Sequence, residues 1–241
     1  MKKGLELIMA GMLTGAILIS GCSNKTQNYS SSKIENKLSK YLKSNEFVLP
    51  EKVYTAYENA SRLGAAYKDS SDPNTAGCCL DGHGIDHPDE FAEELSSEGY
   101  SKKEIGDYNK ILSKKSNIVI RESIAVNYPE SVSKEVLLHE RMHRIQNNLD
   151  NSSKEKIKKM HDDVVKEVYN IKSFKDYNSL LDDKSEGSVP KKACILSWEE
   201  LLPYLAMNTT KLEKGDEIKE LIKDKHPEVY QILNKMEVEA E

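Results

Sequence analysis

The sequence predicts a mostly helical α+β fold, on three observations. Glycine is scarce, at 12 of 241 residues, which disfavours β-sandwiches and glycine-rich phosphate loops. Charged residues alternate with Leu, Ile and Val at helical spacing over most of the chain. One stretch, residues 117–128, reads instead as a β-branched strand. The chain is 38% hydrophobic with 12 Tyr, enough for a core, which argues against a fully disordered chain. Lys+Arg number 35 against Asp+Glu 40, so there is no global basic footprint and no nucleic-acid partner is expected.

The first segment reads as an address. Lys2 and Lys3 precede an apolar run from Leu7 to Ile19, shorter than the about 20 residues a membrane span needs. The run ends in Ile19-Ser20-Gly21-Cys22. Small residues directly before a cysteine resemble the lipobox of bacterial lipoproteins. The resemblance implies a signal peptide over residues 1–21, a lipid on Cys22, and an extracytoplasmic protein anchored to the bacterial cell membrane. A plain secretory signal with a chance cysteine is the alternative. Residues 22–32 are polar without apolar period and read as a flexible tether. Residues 33–241 then form the folded domain, with no clear internal linker.

Pro50 starts a helix to about Lys68, with Val53, Tyr57, Ala60, Leu63 and Tyr67 on one face. Pro73, Gly77, Gly82 and Gly84 mark Ser70 to His87 as a turn-rich loop. A short helix runs from Pro88 to Ser96, and Gly99 ends it. Ser101 and Glu104 form a capping box for a helix to about Leu112. The strand Asn117–Tyr128 follows and Pro129 breaks it. A helix from Ser133 to Leu149 places Leu138, Met142, Ile145 and Leu149 on one face. Ser152 with Glu155 caps the next, to about Ile171, and Ser197 starts another with Leu201, Leu202 and Leu205 apolar. Glu217 to Met236 reads as an amphipathic pair broken at Pro227.

Three cysteines follow Cys22. Neighbouring cysteines rarely bridge each other, so a disulfide from Cys194 to Cys78 or Cys79 is expected in an extracytoplasmic chain. Cys78, Cys79, His83 and His87 as a second metal site is the competing reading, at a spacing that matches no standard zinc module. His161, in a Lys/Asp-rich helix, is expected in solvent, and His226 at the turn before Pro227.

The chemistry lies in His139-Glu140-Arg141-Met142-His143, an H-E-x-x-H motif. On a helix, residues i and i+4 share a face, so two imidazoles can approach one ion. Glu140 sits beside the first histidine, where it can take a proton from a metal-activated water. In a chain with 6 His, chance supplies such a match on the order of 0.02 times. Two surface histidines on an amphipathic helix are the bland alternative.

From these residues, the stretch 117–208 resembles the zincins, the H-E-x-x-H metallopeptidases. The resemblance implies a zincin-like two-lobed domain with a small sheet above the motif helix. It also implies one Zn2+ ion, a peptide or protein substrate, and an edge strand, supplied by Ile118 to Tyr128, that binds extended peptide. Gln146 and Asn147 stand where the metzincin extension would continue, so the third ligand comes from elsewhere, as in gluzincins. Trp198-Glu199-Glu200-Leu201-Leu202 resembles the third-ligand helix of the anthrax lethal factor and Pro-Pro endopeptidase group, which makes Glu200 the ligand. Glu199 and Glu186 remain alternatives. Ser197-x-x-Glu200 also fits a capping box, which would turn the Glu200 carboxylate to the backbone. Tyr204 and Ala193 stand where that group has an acid and a tyrosine, so its transition-state tyrosine is not carried over; Tyr177 and Tyr204 are the available oxyanion donors. The implied enzyme is a zinc metallopeptidase with Glu140 as general base. A zinc-binding lipoprotein without turnover is the alternative, and an adhesive lipoprotein a third.

Overall fold

The computed structural model describes residue 38 and residues 40–61, 77–80, 84–183, 188–207 and 212–241. The signal, the tether, Cys22, His83 and Glu186 lie outside them, as do Leu63, Tyr67 and the remainder of the helix expected to run to Lys68. The described fold is α+β, mostly helical with one small mixed sheet. The chain divides into two compact units between Lys134 and Glu135.

The first unit holds strands β1 (Glu46–Leu49), β2 (Gly77–Cys79) and β3 (Ile118–Arg121), and helices α1 (Glu51–Ala60), α2 (Pro88–Ser97), α3 (Lys102–Leu112) and α4 (Glu122–Asn127). β3 is the middle strand, parallel to β1 and antiparallel to β2, with Glu46 opposite Ile118 and Leu49 opposite Arg121. All four β3 residues are buried, as a central strand of Ile and Val requires.

The expected strand to Tyr128 is therefore corrected: pairing stops at Arg121 and the next six residues are helical. The ladder on the β1 side ends because Pro50 follows Leu49 and has no N–H to offer. The expectation that this segment supplies an edge strand is corrected with it, since β3 is flanked on both sides and β1 and β2 form the edges. Beneath the sheet α1 turns Val53, Tyr54, Ala56, Tyr57 and Ala60 into a core with Phe91 and Leu95 of α2 and Ile105 and Leu112 of α3. The capping box forms as expected, Ser101 accepting from Glu104 N and the Glu104 carboxylate accepting from Ser101 N. Gly99 takes φ 90° at the turn between α2 and α3, where a side chain would be strained.

Helix α5 (Glu130–Asn148) carries the motif and crosses the division between the units. The second unit continues with α6 (Asn151–Val168), α7 (Phe174–Leu181), α8 (Ser188–Leu196), α9 (Trp198–Leu205), α10 (Gly215–Lys225) and α11 (Pro227–Ala240). α6 is its centre, packing on α9, α10 and α11. The α6 cap is Asp150, whose carboxylate accepts from Ser153 N at 2.9 Å; Ser152 already lies inside the helix, which corrects the expected cap. The buried stripe of α6 is Ile157, Met160, His161, Val164, Val165 and Val168. His161 is thus buried rather than in solvent, and its Nε2 lies 2.6 Å from the Cys194 carbonyl oxygen. His226 sits at the α10–α11 junction as expected, its carbonyl accepting from Val229 N.

The expected disulfide is absent. Cys78, Cys79 and Cys194 are free thiols, and all are buried. Cys78 and Cys79 lie on β2 against β3, inside the first unit. Cys194 belongs to the second unit, and its Sγ contacts the Glu200 carbonyl at 3.8 Å.

Candidate metal centre

The motif helix presents His139 and His143 one turn apart, so their imidazoles meet on one face, with ring centroids 4.6 Å apart. The third member comes from α9. Helix α8 stops because Ser197 is extended, at φ −134° and ψ 125°, and α9 restarts at Trp198. The restart points the Glu200 side chain inward. Ser197 caps α9 by accepting from Glu199 N at 3.2 Å, and Glu200 N binds the Ser197 carbonyl, so the Glu200 carboxylate does not serve the anticipated capping box. Its Oε2 lies 3.4 Å from His139 Nε2 and 3.5 Å from His143 Nε2, and the two Nε2 atoms are 3.0 Å apart.

His139 and Glu200 are fully buried and His143 nearly so. Neither Glu200 oxygen has a hydrogen-bond partner, nor has His139 Nδ1. Two imidazole nitrogens and a carboxylate therefore converge in the interior, with no group outside the trio hydrogen-bonded to the Glu200 oxygens. Such an arrangement is costly unless a cation or proton joins it. The electrostatics agree. Burial pushes His139 down to about 4. Burial also works against charge on His143, but the Glu200 carboxylate prevails and raises it to about 9. Burial alone would raise Glu200; the two imidazoles overcome it and bring the carboxyl to about 2. In the absence of an ion, the Glu200 carboxylate is thus balanced by the His143 imidazolium, a proton that a metal cation would displace.

The triangle also has the right size. Zinc bonds of about 2.0–2.1 Å in a tetrahedron put ligand atoms roughly 3.3–3.4 Å apart. Edges of 3.0, 3.4 and 3.5 Å span one face of such a tetrahedron. The donor set, two imidazole nitrogens and one carboxylate oxygen, suits the same ion. His139, His143 and Glu200 are the one candidate metal group among the described residues, so Cys78, Cys79 and His87 form none there.

Glu140 is fully buried between the two histidines in sequence and close enough to act on the charge of His143. Glu199 is half-buried, its carboxyl raised by burial, and it lies outside the triangle. Tyr204 packs edge-on against His139, with ring centroids 4.7 Å apart, and is fully buried. Tyr177 lies on α7, which buries none of its residues. Gln146, one turn beyond His143, places its amide 3.4 Å from the Glu199 carbonyl. Arg141, buried inside the motif, donates to the Ala240 carbonyl at 2.9 Å. Sequence spacing does not disclose these last two contacts, because their partners lie on helices remote in the chain.

No protein-family model matches the chain, and neither the curated proteins nor the solved structures hold a match to it.

Proposed function

We propose that the chain is a lipid-anchored, extracytoplasmic zinc-dependent endopeptidase with a zincin-like fold, acting on a peptide or protein substrate. The observation that carries the reading is the buried triangle of His139, His143 and Glu200, sized for one face of a zinc tetrahedron. Zinc, when bound there, polarises a scissile carbonyl and makes a water molecule acidic near pH 7. His139, His143 and Glu200 would hold the ion. Glu140 takes the proton of the attacking water and delivers it to the leaving amine. Its burial keeps it out of bulk water. Tyr204 is the oxyanion donor best placed by chain position, one helical turn beyond Glu200 and in contact with His139. Cys22 carries the lipid, and residues 22–32 lift the catalytic domain from the membrane.

The same burial favours a second reading, a zinc-binding lipoprotein without turnover, since His139, Glu140 and Glu200 expose no surface. One experiment separates the two. Purified protein is loaded with zinc, its metal content measured, and a peptide library is offered with and without chelator. The peptidase reading expects one zinc per chain and chelator-sensitive cleavage. One zinc without cleavage supports the second reading, and no zinc overturns both.

A further inference from the structure

Pro203 lies inside α9, four residues after Glu199. In a regular helix the carbonyl of residue i accepts from the N–H of residue i+4. Proline has no N–H, so the Glu199 carbonyl loses that donor. An orphaned carbonyl away from water needs another partner. Gln146 supplies it: its side-chain Nε2 reaches the Glu199 oxygen at 3.4 Å. Gln146 is 1% exposed and its Oε1 accepts nothing, so this contact is the one hydrogen bond of its side chain. The two residues joined each neighbour a triangle member. Gln146 lies one turn beyond His143 on α5, and Glu199 precedes Glu200 on α9.

We propose that Gln146 is a positioning residue for the metal centre. Its amide takes the place of the donor that Pro203 removes, and so fixes the axial register of α9 against α5. The register decides where Glu200 stands relative to His139 and His143. Pro203 is the other half of the device: by clearing the Glu199 carbonyl it opens the acceptor that Gln146 reads. The inference rests on the metal reading of the triangle, and it assigns a role to two residues outside it.

The test is a double-substitution cycle read by zinc affinity, with a chromophoric chelator as competitor, and by the visible spectrum of the cobalt(II) form. Gln146→Met keeps the length and bulk of the side chain and removes the donor. It should weaken zinc about tenfold or more, in the range that outer partners of metal ligands command, and change the cobalt band intensities. Pro203→Ala returns an N–H to the helix. In that background Gln146→Met should cost at most about twofold, because the Glu199 carbonyl has regained its own donor. A purely packing role for Gln146 would give the same loss in both backgrounds, and that equality would overturn the proposal. Wild-type affinity in Gln146→Met alone would overturn it too. If Gln146→Met does not fold, recovery of folded, zinc-binding protein in the double variant supports the device, and failure of both overturns it. Wild-type protein that binds no zinc defeats the metal reading itself, a result distinct from each of these.

Discussion

Each unit buries a charged group among its neighbours, Arg121 in the first and the histidine–glutamate triangle in the second, and these two clusters are built on opposite plans. In the first unit Arg121 is 4% exposed. Its Nε lies 2.8 Å from a Glu51 oxygen, its Nη2 3.0 Å from a Glu58 oxygen and 3.2 Å from the Thr55 hydroxyl. The guanidinium also lies over the Tyr54 ring, 5.1 Å from its centroid. Opposite charges meet there, one guanidinium against two carboxylates, so the cluster is closed in charge. In the second unit no lysine or arginine pairs with Glu200 among the described residues; its charge faces only the imidazoles of His139 and His143. The closed cluster reads as a fastening between β3 and α1. The open one costs stability until something positive enters, and folds rarely keep such a cost without a use.

The sharpest way to break that contrast is to remove the open cluster's carboxylate. Glu200→Ala should lower zinc affinity by well over the roughly 100-fold that outer partners command. Glu199→Ala should leave it near wild type, because Glu199 lies outside the triangle. The same pair can be read by melting. Zinc at a thousand times the wild-type Kd should add about 4 kcal/mol to the stability of the wild type and less than about 1.4 kcal/mol to Glu200→Ala. Reversed behaviour of the two variants would move the ligand to Glu199.

Next in size is Glu140→Gln. If Glu140 acts only on protons, peptide cleavage should fall about 10²–10⁴-fold while zinc content stays at one per chain. Loss of zinc together with activity would make Glu140 a part of the binding site instead. For the closed cluster, Arg121→Met should cost up to about 3 kcal/mol in urea unfolding, since it removes the buried guanidinium that faces the Glu58 and Glu51 carboxylates, and leave zinc affinity unchanged. A drop in zinc affinity would show that the two clusters are energetically coupled.

The smallest effect concerns a third buried ionisable group. Burial lowers the pKa of His161 below its ordinary 6.5, and the hydrogen bond to the Cys194 carbonyl opposes this only in part. As pH falls through 6.5 the unfolded chain takes up the proton first, so stability is fully present above that pH and is lost toward the folded-state value. His161→Gln keeps a side-chain donor and cannot titrate. Its urea-unfolding free energy should therefore decline less than the wild type's between neutral pH and pH 5. Parallel declines would show that His161 charges equally easily in both states.

Sequence reasoning reached the parts whose signal is local. The spacing of His139 and His143 needs only a helix. The Ser101–Glu104 box, Pro88 and Pro227 announce helix starts within a few residues. Helices α2, α3, α10 and α11 are accordingly near where their patterns place them. The parts it missed are defined by partners remote in the chain. β1 and β2 have four and three residues, too few to show alternation, and exist as strands because β3 pairs with them. The α4 segment reads as strand in sequence because Ile124, Ala125 and Val126 suit either state and only the end of the ladder decides. His161 was hidden by its lysine-rich neighbours, although Ile157, Met160 and Val164 already marked its face as inward. At Glu200 the sequence held two rival readings, cap and ligand. The cap reading falls because Ser197 caps through Glu199 N, and the Glu200 carboxylate turns inside.

The long chain path between His143 and Glu200 gives the triangle a topological meaning. An ion held by those atoms closes everything from His143 to Glu200 into a ring. By the cross-link relation, a ring of about 60 residues removes about 4 kcal/mol of chain entropy from the unfolded ensemble. Cys194, the one thiol among the described residues of that unit, has no covalent partner, so no sulfur bridge duplicates the tie. Opening the unit fully then requires the ion to leave. Its lifetime against proteolysis would then follow the dissociation rate of the metal, and a chelator would shorten the time it survives.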